Sequence, residues 1–395
     1  MFFKISNITI TNHVISTIAM ADGMDLKRGK RYTENPDLPD IFKSKFLNQT
    51  RQYYNGELLD RRMKEIRESI IFIRENWANY SEFMTKLEEF FKGSDCSVPT
   101  KNLLNDLFQS KKDWADAPVL DTSDNFEAIR LYTSMEGYDQ IFSVVNRIFR
   151  QDDAIQDQTL IRTAVFLVEL LNIDLYHYCC LHPSFGGFNN TVYRGMALSV
   201  EDLHAFESLM TRPVSERYIA IPLSLMSAST EIKIAEKFFE THSHGDLLPV
   251  ILKIHVINMT EKYLTLYTEM FSSVVSTICA VDIKDLSEFR EENEVLLRGP
   301  FFQVLNIHNG DIIKDKQSRV IEMVMLNTNR DHISTMQLGE KSNKARDAFA
   351  AMVSITRSEF AIKFCHDNEL QDDAEQYRSI LENSIQKLAR IEKED

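Results

Sequence analysis

The amino-acid sequence predicts an α+β fold, with a mostly antiparallel or mixed sheet and helices before and after it in the chain. Three observations predict this. Apolar residues recur at three- and four-residue spacing through the first part of the chain. Short apolar runs separated by polar breaks take over from about Thr191, and helical periodicity returns from about Ser342. Helices first and strands later, without strict alternation, are the order an α+β domain produces.

The opening string MFFKISNITITNHVISTIAMADGM sets Ile8 and Ile10 against Asn7, Thr9 and Thr11, which reads as a short strand. Those polar residues interrupt what a secretory signal needs as an unbroken apolar middle. A cytoplasmic protein is therefore expected, with secretion as the lesser alternative. From Pro36 to about Phe91 the pattern is helical, with Leu58, Leu59, Met63, Ile66, Ile70, Ile71 and Ile73 forming an apolar face opposite a charged one. GSDCSVPT, Gly93 to Thr100, reads as a linker. NFEAIRLYTSMEGYDQIFSVVNRIFR begins a second helical stretch, and DQTLIRTAVFLVELLNIDLYHY is apolar nearly all round, which predicts a buried helix.

The strand-like runs follow: TVYRGMALS, YIAIPLSLMSAS, PVILKIHVI, NEVLLRGPFFQVLNI and RVIEMVMLN, interrupted by one helix, EIKIAEKFFETH. Asn309-Gly310 predicts a hairpin turn. The tail reads as a helix, a polar break and a second helix, and with no second copy it suits an appendage rather than a repeat array. The expected organisation is a mainly helical region over 1–95, a sheet domain over 100–330 and a helical tail over 340–395.

Bulk properties exclude several classes. With 395 residues, 44% of them hydrophobic, the chain can bury a sizeable core. A formal charge of -14 argues against gripping nucleic acid or an anionic membrane through a broad basic face, so neither is expected as a partner. No run approaches the roughly 18 consecutive apolar residues of a membrane span. Five cysteines without a CxxC pair predict free, mostly buried thiols, and no metal site is expected.

Three short motifs carry chemistry. In TVYRGM, Arg194 ends a strand-forming run and precedes Gly195, which suits a fork for phosphate or carboxylate with backbone close to the ligand. In LSLMSASTEIKIAEKFF, Ser227 and Ser229 share one strand face, and Ser229 or Thr230 caps the next helix. In EFREENEVLLRGPFFQV, Glu292 and Glu294 would project together from a strand, an arrangement that repels itself unless a cation binds. Singly, each is also an ordinary feature: a strand end, a helix cap, an acidic turn.

Their order is more specific. Arg, then Ser-x-Ser before a helix, then Phe-x-x-Glu-x-Glu before Val-Leu-Leu, together with the Ile-Arg-Leu-Tyr-Thr string beginning at Ile129, resembles the arginine-specific mono-ADP-ribosyltransferases over about Asn125 to Leu326. The resemblance implies a split mixed β-sandwich around an NAD cleft. It implies transfer of ADP-ribose from NAD to arginine side chains of an acceptor protein, with NAD or NADP as co-substrate and no permanently bound cofactor. By the same resemblance Arg194 grips the NAD phosphates and Gly195 offers backbone to the nicotinamide amide. Ser227 holds the catalytic Glu294, Ser229 lies beside the cofactor, and Phe238 (or Phe239) stacks on the nicotinamide. Glu294 bonds the ribose 2'-hydroxyl, Glu292 receives the target guanidinium, and Phe289 belongs to the target-recognition turn.

The chain departs from the family at Ala228, where a threonine is usual, and at Arg298-Gly299-Pro300, where proline often follows directly. Ala228 should point away from the site. Two other readings share the fold: an NAD glycohydrolase, in which water replaces arginine, and a catalytically quiet binding or scaffold protein.

Overall fold

A computed structural model describes residues 65–393, except 67, 74, 93–95, 112–124, 143–144, 146–147, 150–156, 183–186, 221–224, 243–245, 272–274, 277–278, 299–300 and 331–339. The strand expected at Asn7–Thr11 and the start of the first helical stretch lie outside the described residues.

Helices that build the first layer include α1 (Tyr80–Lys92), α2 (Val98–Ser110), α3 (Glu127–Thr133) and α4 (Gln158–Leu181). Helix α2 starts inside the expected linker. The Ser97 hydroxyl accepts from the Thr100 amide and proline stands in the first turn, which together make a helix start out of what composition suggests is loop. By length and mean hydropathy helix α4 could cross a membrane, although Arg162, Glu169 and Asp174 break its apolar run. It is instead the centre of a core in which Phe166, Leu167 and Leu171 pack with Ile66, Tyr80, Leu107 and Leu131.

One lysine is buried in this layer. Lys111 is fully buried, its ammonium 2.6 Å from Asp174 Oδ1 and 3.2 Å from Glu127 Oε2. Asp174 also accepts from the Ala128 amide at 2.9 Å, so the network ties the end of α2, the start of α3 and the middle of α4. Burial raises the Asp174 carboxyl to about 6 against the opposing pull of Lys111.

The strands are β1 (Thr191–Leu198), β2 (Tyr218–Ala220), β3 (Leu225–Ser229), β4 (Leu248–Ile257), β5 (Val275–Ser276), β6 (Ala280–Asp282), β7 (Glu294–Arg298), β8 (Phe301–Ile313), β9 (Lys316–Leu326) and β10 (Asn329–Arg330). Strands β5 and β10 pair separately; the other eight run in the order β2-β8-β9-β4-β1-β3-β7-β6. The sheet is mixed, because β4 and β9 pair in parallel while β1 and β4 pair antiparallel.

The order hides a split. Strand β1 pairs with β4 along its whole length, from Thr191↔His255 to Leu198↔Leu248. Among the described residues it meets β3 only at Tyr193↔Ser229. The sheet therefore folds over at this joint, and the residues between its two halves make one core. Val192, Met196, Leu252, Ile254, Met323 and Phe302 come from the larger half, and Met226, Ala228, Val295, Leu297 and Ala280 from the smaller. Alternation along β3 and β7 sends Leu225 and Leu296 to the opposite side, onto the helical layer. The result is the split mixed sandwich with preceding helices that the resemblance implied.

The hairpin turn is elsewhere than expected. Asn309-Gly310 lies within β8, where the register slips between Asn309 and Ile312. The chain reverses at Lys314-Asp315, both at positive φ (47° and 62°), a two-residue turn whose twist matches the strands it joins. Gly310 serves the bulge instead: a Cβ there would meet the Ser318 side chain.

Helix α5 (Val200–Met210) packs Leu203, Phe206 and Leu209 into the sandwich core, and on the outer face of the larger half lie α6 (Ile232–His242) and the tail, α8 (Glu340–Asp367) and α9 (Gln371–Lys393). Ala361, Phe364, Ala374 and Tyr377 pack on Val324 and Leu305, while Ala348, Met352 and Leu388 cover α7 (Glu261–Phe271). The buried Arg217 guanidinium forks onto Asp373 at 2.6 and 2.9 Å, so the tail is bolted to the sheet at its turn. The cysteines are free, with Cys96, Cys279 and Cys365 buried.

Candidate active site at the split of the sheet

The three motifs come together where β1 parts from β3. On β1, alternation puts Arg194 on the same face as Val192 and Met196, toward the sandwich interior, and leaves Gly195 facing outward. The guanidinium crosses the split and donates from Nη1 to the Ser227 carbonyl oxygen on β3. Arg194 is 6% exposed, an unusual depth for a guanidinium.

Gly195 has a structural reason of its own. A Cβ at this position would overlap the backbone carbonyl of Ala235 and press on the Phe238 Cβ. The backbone that comes close is thus helix α6, whose Phe238 stands half-buried over the end of the β1 arginine motif. The side chain of Phe239 lies outside the described residues.

Strand β3 pairs with β7 in register, so Ser229 stands opposite Glu294, Ser227 opposite Leu296 and Ala228 opposite Val295. Ala228 faces the sandwich core, on the opposite face of β3 from Ser227 and Ser229. Ser229 is fully engaged: its hydroxyl donates to the Glu292 carbonyl at 2.6 Å and accepts from the Glu231 amide at 2.9 Å. It caps the entry to α6 and fastens the acidic turn in one contact pair.

Glu292 and Glu294 do not share a strand face. Residues Arg290–Glu292 form one turn of 3-10 helix, and Asn293 follows in the left-handed region at φ 46°. Strand β7 begins only at Glu294. Asparagine tolerates that conformation better than most residues, and it breaks the two-residue alternation on which the expectation rested. Glu294 is 3% exposed and belongs to the sheet, while Glu292 is half-buried on the turn above it. Phe289 precedes the turn, half-buried, its amide donating to the Ser287 hydroxyl at 3.1 Å.

The expected contact between Ser227 and Glu294 is not the one made. Ser227 Oγ meets the Tyr132 hydroxyl at 3.2 Å. Glu294 Oε2 accepts instead from Ser287 Oγ at 2.7 Å. Both new partners were missed. Tyr132 sits inside the Ile-Arg-Leu-Tyr-Thr string, which marks α3 without saying what its tyrosine touches. Ser287 had a weak local signal: a serine two residues before Phe289, placed to bond that amide as small hydroxyl residues do in turns.

Helix α3 also holds the turn. The Thr133 hydroxyl reaches the Leu286 carbonyl at 3.5 Å, and the Glu288 carboxylate accepts from the Met135 amide at 2.9 Å. The split thus has a buried cation on β1, a buried carboxylate on β7 and a second carboxylate on a braced rim. Such a site can hold an anionic group and a cationic centre side by side.

No family model matches the chain, and no curated protein matches it in sequence. Among solved structures it is similar to Vis toxin, an ADP-ribosyltransferase from Vibrio splendidus, at 15% identity and TM-score 0.32 over 57% of this chain and 85% of that one. It is similar to the ADP-ribosyltransferase HopU1 of Pseudomonas syringae pv. tomato DC3000 at 15% identity and TM-score 0.34, over 57% of this chain and 87% of that one. A third is Plx2a, an ADP-ribosyltransferase toxin from Paenibacillus larvae, at 14% identity and TM-score 0.33, over 58% of this chain and 97% of that one. Likenesses at these scores decide nothing about activity.

Proposed function

We propose that this chain transfers ADP-ribose from NAD to an arginine side chain of an acceptor protein, releasing nicotinamide. One observation carries the reading: Arg194, the Ser227 strand and Glu294, far apart in sequence, converge where the sheet splits. In this reading Arg194 binds the diphosphate, and its bond to the Ser227 carbonyl fixes the fork before NAD arrives. Phe238 lines the cofactor side of the split, and Ser229 braces the acidic turn beside it.

The bond between nicotinamide and ribose breaks with its electron pair leaving on nicotinamide. The ribose becomes positively charged, and the buried Glu294 carboxylate stabilises that charge while accepting from the 2'-hydroxyl. A guanidino nitrogen of the acceptor then forms the new bond to the ribose carbon. Its proton passes to Glu292, which the turn holds at the rim, and from there to water. Phe289, on the same turn, meets the acceptor. The reaction balances as NAD plus arginine giving ADP-ribosylarginine, nicotinamide and a proton.

The test is labelled NAD with agmatine as a small arginine mimic. In Glu294→Gln both transfer and NAD cleavage are expected to fall by about 10²–10³-fold or more, the scale of losing a group aimed at transition-state charge. Glu292→Gln should keep NAD cleavage and lose transfer. Hydrolysis without transfer by the wild type would favour a glycohydrolase. NAD binding without turnover would mark a quiet relative, and neither binding nor turnover would end the NAD reading.

A further inference from the structure

The Ser287 hydroxyl has no freedom in where its proton points. Its oxygen accepts from the Phe289 amide at 3.1 Å, while its own amide bonds the Ile283 carbonyl at 3.0 Å. The proton then goes to Glu294 Oε2 at 2.7 Å. Donor and acceptor are each 3% exposed. A hydroxyl bonded to a carboxylate away from water is among the stronger and more directional contacts a protein makes. Ser227 is not in competition for this place, since it stands opposite Leu296 and engages Tyr132.

We infer that Ser287, on the acidic turn, is the positioning residue for Glu294: it clamps Oε2 and presents Oε1 to the ribose of NAD. The inference rests on the reading of Glu294 as the group beneath that ribose. A glutamate side chain has three free torsions, and without the clamp its carboxylate would have to be ordered anew in each turnover. The clamp also couples two jobs. Ser287 holds the Phe289 amide and the Glu294 carboxylate with one hydroxyl, so the acceptor turn and the catalytic carboxylate move as a unit.

The experiment compares Ser287→Thr with Ser287→Val, which match in size and differ by a hydroxyl. In Ser287→Val the kcat for NAD cleavage should fall about 10- to 100-fold with KM for NAD within about twofold of wild type, because the loss is in alignment and not in binding. Ser287→Thr should keep most of the activity. Equal kcat in the two variants, or a loss carried by KM, would overturn the inference. Melting temperatures are read alongside. Should the branched side chains unfold the protein, Ser287→Ala against wild type gives the same kcat comparison and is decisive in the same way. A wild type idle with NAD overturns the function and this inference with it; an active wild type with matched variants overturns the inference alone.

Discussion

Strand β1 has two neighbours and treats them differently. Toward β4 it pairs at every residue; toward β3 it pairs, among the described residues, at Tyr193↔Ser229 alone. The closed side satisfies its backbone groups with a regular ladder and buries Val192, Leu252 and Ile254 behind it. Beside the open side, side chains reach for backbone groups instead, Arg194 for the Ser227 carbonyl and Ser229 for the Glu292 carbonyl, and Ser287 bonds the Glu294 carboxylate. Buried polar groups must find partners, and where the ladder stops, polar side chains take over. That is also where a ligand can compete for them. The closed side is built for stability, and the open side is where the proposed chemistry would take place.

This contrast can be broken from either side. Leu252 is fully buried at the centre of β4. Leu252→Ala should cost about 2–5 kcal/mol of stability in denaturant unfolding, the cost of a cavity in a packed core. NAD turnover per folded molecule should not change, the reverse of what Glu294→Gln should do. If Leu252→Ala instead loses turnover while staying folded, the two sides are not separable.

The next effect belongs to the helical layer that supports the open side. Asp174 has a folded pKa raised to about 6 from 3.8, chiefly by burial. A raised carboxyl binds its proton more tightly in the folded state. Its contribution to stability is therefore fully present below the unfolded value and is lost as pH rises through about 6. The swing is on the order of 3 kcal/mol by linkage. Urea unfolding between these two values should show this component in the wild type and not in Asp174→Asn. Identical pH dependence in both proteins would show that Lys111 and Glu127 take up the whole charge.

The smallest effect is the sharpest test of the open side. Ser229→Ala removes the bonds to the Glu292 carbonyl and the Glu231 amide. A loss of about 1–2 kcal/mol in stability is expected. Transfer to agmatine should fall more than NAD hydrolysis, because the turn that loosens carries Glu292. Equal losses in both would place Ser229 with the cofactor rather than with the turn.

Much of the fold was legible because burial repeats. The five strand runs and the apolar helix α4 announce themselves by period, and the tail by its two amphipathic stretches. The errors fell where a single backbone conformation overrides a pattern. Asn293 in the left-handed region separated Glu292 from the strand, and Lys314-Asp315 made the turn that Asn309-Gly310 advertised. Gly195 was expected to offer backbone to a ligand, and its close neighbour in the fold is the backbone of α6. Arg194, Ser227 and Glu294 were singled out by type and order, yet their hydrogen bonds were not foreseen.

What the sequence determined by itself is therefore which segments bury which face, and which polar residues stand in apolar surroundings where they require partners. Both are local matters, set by side-chain periodicity and by the cost of desolvating charge. Only the tertiary structure decided who those partners are. Ser287 reaches Glu294 across a turn, Tyr132 reaches Ser227 from another layer, and Arg194 crosses the split to a backbone carbonyl. Such pairs depend on strand order and on where pairing ends, which are set by the packing of both halves of the sheet and leave no period in the chain.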